Sequence, residues 1–269
     1  MSKFLSSAAI SVAFIGCMAV SGCTPKTPTD TKVETPVISA ADIGKRIEVL
    51  ASDAFEGRAP GTPGGERSSQ YIADEMQAAG LAPMGVGGTY FQPITLTETT
   101  VNDSSFMRLT RAGGTEIPTA YKDNSIYWTK QFRDSVSVDD SELVFVGYGA
   151  VAPEFGWNDY EGLDVSGKTV VMLVNDPGFA TKDKDLFNGS AMTYYGRWTY
   201  KFEEAARQGA AAAIVIHETE PASYGWKVVA DSWSGPQIDL VRPDEGLSRA
   251  KLEGWLSIEA AQNVFKAAG

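Results

Sequence analysis

The chain has 269 residues, 43% of them apolar and 21% charged, with a formal net charge of -11. That composition excludes a disordered chain, which has too few apolar side chains to bury. The length suits one large domain or two ordinary ones of ~100–200 residues each. The acidic balance speaks against a nucleic-acid partner, whose phosphates it would repel.

Met1-Ser2-Lys3 makes a short positive start, and Phe4 to Val20 then runs without a charge. That run is marginal for a membrane span and rich in small residues, as an export signal is. It ends in Val20-Ser21-Gly22-Cys23, which resembles the bacterial lipobox. The resemblance implies that residues 1–22 are a signal peptide and that Cys23 is acylated and becomes the mature N-terminus. The protein would then sit in the cell envelope, anchored to a membrane facing the periplasm or the exterior. A plain secretory signal cut elsewhere, or a true span, are the alternatives. Cys17 would leave with the signal, so the mature chain would keep no thiol for a disulfide. Residues 23–40, dense in Thr, Pro and Lys, read as a flexible tether.

The spacing predicts a first helix over Ala41–Leu50, with Ser39 as N-cap and Ile43, Ile47 and Leu50 on one face. A loop through Glu56 and Arg58 follows, read as a turn held by an ion pair between two helices. Thr62-Pro63 then has the form of an N-cap followed by proline in the first helical turn, and Gly80 that of a stop. Short strands are expected around Phe91–Leu96 and Phe106–Leu109, with a hairpin turn at Gly113-Gly114. Glu142 to Gly149 reads as a longer strand. Lys168–Val174, a helical stripe of Trp198, Phe202, Ala205 and Ala206, and Ala211–Ile216 form a βαβ unit with both strands buried. The insertion from Asp176 to Tyr195 is long for such a connection, and long loops in compact domains often serve function. Pro236–Gly254 reads as mixed strand and loop, and Ser257–Ala268 as a capped helix. The fold class is therefore α/β (α+β).

Two resemblances follow from particular residues. Gly167-Lys168-Thr169-Val170-Val171, Tyr200-Lys201-Phe202-Glu203-Glu204-Ala205-Ala206 and Gly209 to Ile216 resemble the protease-associated (PA) domain, a non-catalytic insert of several secreted peptidases. Glu56 to Gly64 with Tyr71-Ile72-Ala73, Phe145 to Gly149 with Ala152-Pro153, Thr193 to Trp198 and His217-Glu218-Thr219-Glu220-Pro221 resemble bacterial zinc aminopeptidases of metallopeptidase family 28. That resemblance implies an N-terminal peptidase segment over 41–120, a β-rich PA domain with its βαβ unit over 121–235, and a return segment over 236–269 leading toward a catalytic domain. It also implies peptide substrates and two zinc ions in the complete enzyme, held by a ligand set that follows the PA insert beyond Gly269. The chain has one histidine, His217, and no His-x-Asp segment, so no catalytic residue, metal ligand or cofactor is assigned to it. A stand-alone PA-type module that binds peptides or proteins without cleaving them is the alternative.

The candidate site residues are few. Tyr194, Tyr195, Arg197 and Trp198 form a polar-aromatic cluster before a helix, and the resemblance makes them a substrate lid. The packed base of a long loop is the other reading of the same four. His217, ending a strand, reads as locally hydrogen-bonded rather than as a ligand, since a catalytic zinc normally takes three protein ligands. Asp139-Asp140-Ser141-Glu142 reads as a solvated turn.

Overall fold

A computed structural model describes residues 38–269. The signal segment, Cys17, Cys23 and most of the tether lie outside the described residues. The chain divides into two compact units, one ending at Tyr71 and one beginning at Ile72.

In the first unit, helix α1 spans Ala40–Leu50, and the Ser39 side chain accepts from the Asp42 amide at 3.1 Å. None of its residues is buried, and Ile43 and Ile47 are 47% and 61% exposed. A short 3-10 turn covers Asp53–Arg58, and helix α2 begins at Pro63 and runs to Ala78. The ion pair expected at this turn has a different partner. Glu56 pairs with Arg67 of α2 at 2.9 Å, while Arg58 donates to the Leu50 carbonyl. Arg67 also donates to the Ala54 carbonyl at 2.8 Å, and Phe55 meets Tyr71 edge-on. The helix supplies the cation because its first turns lie against the loop.

The second unit holds strands β1 (Leu96–Thr99), β2 (Leu109–Thr110), β3 (Glu116–Ile117), β4 (Ser125–Trp128) and β5 (Leu143–Phe145). After them come β6 (Val151–Ala152), β7 (Trp157–Asn158), β8 (Thr169–Leu173), the short helix α3 (Pro177–Thr181) and α4 (Trp198–Arg207). The chain closes with β9 (Ala212–His217), α5 (Thr219–Ala222), α6 (Trp226–Trp233), β10 (Gln237–Leu240), β11 (Leu252–Ser257) and α7 (Ile258–Ala268). The class is mixed α/β. A five-stranded sheet runs β4-β11-β9-β8-β5, with the last four parallel and β4 antiparallel to β11. Small ribbons β1–β10, β2–β3 and β6–β7 surround it.

Alternation along the strands makes two cores. Ile126, Val170, Met172, Ala213, Val215 and Trp255 face one side, under Phe202 of α4 and Val229 of α6. Val171, Ile214, Ile216 and Leu256 face the other, under Ala260 and Ala261 of α7. A parallel sheet needs both faces covered, and β8 and β9 are buried almost throughout.

Several boundaries differ from the sequence reading. No strand covers Phe91; pairing starts at Leu96. The run from Glu142 keeps strand form only from Leu143 to Phe145, because Gly147 and Gly149 take positive φ of 55° and 63° and turn the chain away. The stretch read as a return segment supplies β11, which lies between β4 and β9. Its Trp255 and Leu256 are essentially inaccessible. Strand β4 and helix α6 were not foreseen. Among the described residues no helix is long and apolar enough to cross a membrane.

One buried ion pair ties the sheet edge. Glu253 of β11 accepts from Arg249 Nη2 at 2.6 Å and Nε at 2.9 Å, and from Trp128 Nε1 at 3.2 Å. Burial pushes its carboxyl pKa up, against the downward pull of Arg249. Arg249→Met leaves that carboxylate buried and unpaired, which costs about 3–5 kcal/mol. Urea denaturation measures the loss, and pairing the change with Glu253→Gln should recover much of it. A single-variant loss below about 1 kcal/mol would contradict this account.

Candidate substrate-facing site

The long connection from β8 to α4 leaves the carboxyl edge of the parallel strands and returns to it. Asn175 adopts the left-handed region (φ 68°), which its short amide tolerates. Its side chain accepts from the Asp176 amide at 2.8 Å and donates to the Pro221 carbonyl at 2.8 Å. Asp176 is fully buried. One of its oxygens caps α3 by accepting from the Gly178 amide at 3.2 Å. The other accepts from the Thr193 amide at 2.9 Å and the Thr193 hydroxyl at 2.6 Å. One carboxylate therefore clasps both ends of the segment 177–192.

The turn Tyr194–Gly196 follows the clasp and leads into α4. Gly196 is required by close approach: a Cβ there would lie 2.7 Å from Met192 Cγ and 3.1 Å from the Asn175 carbonyl carbon. The Gly196 carbonyl accepts from the Asn175 amide at 3.2 Å, which fixes the turn to the sheet.

The four residues singled out in the sequence separate into two pairs. Tyr194 is 57% exposed, and its hydroxyl donates to Glu203 at 3.0 Å. Arg197 is exposed and makes no hydrogen bond or ion pair through its guanidinium among the described residues. Tyr195 and Trp198 pack inward. Tyr195 sits edge-on to Phe187 and Tyr200 and donates to Glu154 at 2.8 Å. Trp198 lies against Phe202 and Trp233. The hydrogen bonds to Glu203 and Glu154 push the pKa of both phenols up. The turn thus presents one phenol and one guanidinium on a packed aromatic base.

His217 ends β9 at the same edge. It is buried, and its Nε2 lies 3.0 Å from the Tyr224 carbonyl oxygen. Its ring is surrounded by Tyr224, Trp226 and Trp255, and burial lowers its pKa. Among the described residues no three His, Cys, Asp or Glu side chains converge as metal ligands would. With its ring engaged and enclosed, His217 does not fit a zinc centre.

Two residues at this edge escaped the sequence reading. Asp176 had a local signal, since Asp-Pro is an N-cap followed by proline at the first helical position. Lys201 lies on the buried stripe of α4, between Trp198 and Ala205, and is completely inaccessible. Its Nζ donates to the Tyr148 carbonyl and lies 5.8 Å from that residue's ring centroid. Burial brings its pKa down to about 7, with Asp159 and Asp176 opposing the shift. A groove of about 590 Å³ opens at the other end of the strands, lined in part by Gln131, Gly167, Gly209, Arg249 and Lys251.

Asp176→Ala leaves three donors without their acceptor. Charge-assisted hydrogen bonds contribute ~1.5–3 kcal/mol each and do not add fully, so the variant should lose about 2–4 kcal/mol. Urea denaturation with amide exchange should place the loss in residues 177–195. Unchanged protection there would contradict the clasp.

No protein-family model and no curated protein matches the chain. Among solved structures it is similar to the aminopeptidase from Aneurinibacillus sp. strain AM-1, with a TM-score of 0.33 and 15% identity. The likeness covers 85% of this chain and 40% of that one, so the chain spans about two-fifths of the length of the protein it matches.

Proposed function

We propose that this chain is the non-catalytic, substrate-facing portion of a zinc-dependent aminopeptidase that removes N-terminal residues from peptides. The observation that carries the reading is the Tyr194–Trp198 turn. It holds Tyr194 and Arg197 outward on a rigid base at the carboxyl edge of a parallel sheet, where α/β folds bind ligands. A phenol supplies apolar contact and a hydrogen bond, and an unpaired guanidinium suits a peptide carbonyl or carboxylate. The ordered motifs from Glu56 to Pro221 support the same family. In this reading two zinc ions and their ligands belong to the complete enzyme, where two metals polarise the scissile carbonyl and activate water. The lipobox motif adds a lipid anchor at Cys23 and a place in the cell envelope, with a membrane as partner and no nucleic acid. The same exposed turn would also serve a stand-alone PA-type module that binds peptides without cleaving them.

The purified 269-residue chain should hold no stoichiometric zinc after desalting and release no amino acid from aminoacyl anilides. Joined to a region that supplies the metal ligands, it should gain both properties. In the joined enzyme, Tyr194→Ala and Arg197→Ala should raise KM about 5–10-fold with kcat little changed, the mark of lost uniform binding. Chelator-sensitive turnover by the chain itself, abolished by His217→Ala, would overturn the proposal.

A further inference from the structure

We propose that Glu218 is a specificity-determining residue for peptides with a free N-terminus: its carboxylate receives the α-ammonium, and the peptide then runs toward Arg197. This deepens the reading of the carboxyl edge as the substrate-facing side and rests on it. Glu218 is the first residue beyond β9 and leads into α5. It is half-buried, and among the described residues its carboxylate makes no hydrogen bond or ion pair. Burial pushes its pKa up, so its charge is held at a cost that a cationic partner offsets.

Two sets of contacts join this segment to the Tyr194–Trp198 turn. The Asn175 backbone amide donates to the Gly196 carbonyl at 3.2 Å, and its side chain donates to the Pro221 carbonyl at 2.8 Å. One residue therefore laces the turn before Arg197 to the segment that opens with Glu218. His217, the neighbour of Glu218, has its Nε2 3.0 Å from the Tyr224 carbonyl oxygen. Burial raises the pKa of the Tyr224 phenol, and the Arg197 guanidinium opposes that rise. Burial also raises the Tyr148 phenol, and the charges of Glu218 and Asp176 raise it further. Both phenols therefore stay protonated as donors. An unpaired anion and an unpaired cation thus share one edge with two phenols.

The other carboxylates at this edge are engaged or fully solvated. Glu203 and Glu154 accept from Tyr194 and Tyr195. Asp176 is buried in its clasp. Glu220 is exposed, where water screens a charge pair. Acetylating a peptide removes the charge of its N-terminus, so a carboxylate that reads the ammonium tells the two forms apart.

The test is an NMR titration of the full chain with trialanine and with N-acetyl-trialanine, read at the amides of residues 193–198 and 217–224. The unblocked peptide should bind about tenfold more tightly, the worth of one charge-assisted hydrogen bond. Glu218→Gln should abolish the difference by weakening the unblocked peptide alone, because groups that meet directly are not additive. Arg197→Gln should weaken both peptides alike, and Glu220→Gln neither. Equal affinity of the two peptides for the unmodified chain, or a difference that survives Glu218→Gln, would overturn the role of Glu218 and leave the peptide-facing edge standing. If neither peptide shifts these amides, both readings fall. If Glu218→Gln does not fold, a carboxyl-carbon NMR titration of Glu218 decides. A pKa that falls on adding the unblocked peptide, and not the acetylated one, supports the pairing, since an ammonium favours the charged carboxylate. A pKa that neither peptide moves overturns it.

Discussion

A parallel array of strands is stable only when both of its faces are covered, and that constraint organises the second unit. Strands β8 and β9 show buried residues to both sides, so each needs a helical layer above and below. Helices α4 and α6 cover one face with Phe202 and Val229, and α7 covers the other with Ala260 and Ala261. Strand β11 extends the array, and its Trp255 and Leu256 fill one core each. Because α4 must return antiparallel to the strands, its first turn is delivered to their carboxyl edge. The placement of Tyr194 and Arg197 is a consequence of that packing.

Delivering a helix start to this edge requires a long connection, and a long connection brings polar backbone into contact with the core. Asp176 resolves part of the problem by accepting from both ends of the segment. Asn175 resolves another part by tying the strand end to Pro221. Lys201 satisfies the Tyr148 carbonyl at the turn where β5 leaves the sheet, at the expense of burying an amine. The same edge therefore displays side chains over a hydrogen-bonded and packed base.

Much of this was legible in the sequence, for identifiable reasons. The βαβ unit announced itself because fully buried strands read as unbroken apolar runs, and α7 because Ser257 caps it. The hairpin at Gly113-Gly114 followed from its turn chemistry, and both glycines take positive φ. Strand β4 was missed because Ser125-Ile126-Tyr127-Trp128 is short and mixes polar with apolar residues. Strand β11 was hidden because Glu253 and Gly254 interrupt it, and Glu253 is tolerable in the core through its partners Arg249 and Trp128. The ion pair of Glu56 was assigned to the neighbouring Arg58 when the folded chain brings Arg67 to it. The four residues of the candidate cluster are legible together, but which two face solvent depends on Phe187, folded back from the preceding loop, and on Trp233, remote in sequence. Long-range packing leaves no local trace of that kind.

The central claim is that the carboxyl edge of the sheet is the face turned toward peptide. The direct measurement is an NMR titration of the chain with short unblocked peptides, following backbone amide shifts. The account predicts shifts concentrated on residues 193–198 and 217–224, weakened by Tyr194→Ala and Arg197→Ala. Shifts concentrated instead on the groove of Gln131, Arg249 and Lys251 at the opposite edge, untouched by those substitutions, would contradict it.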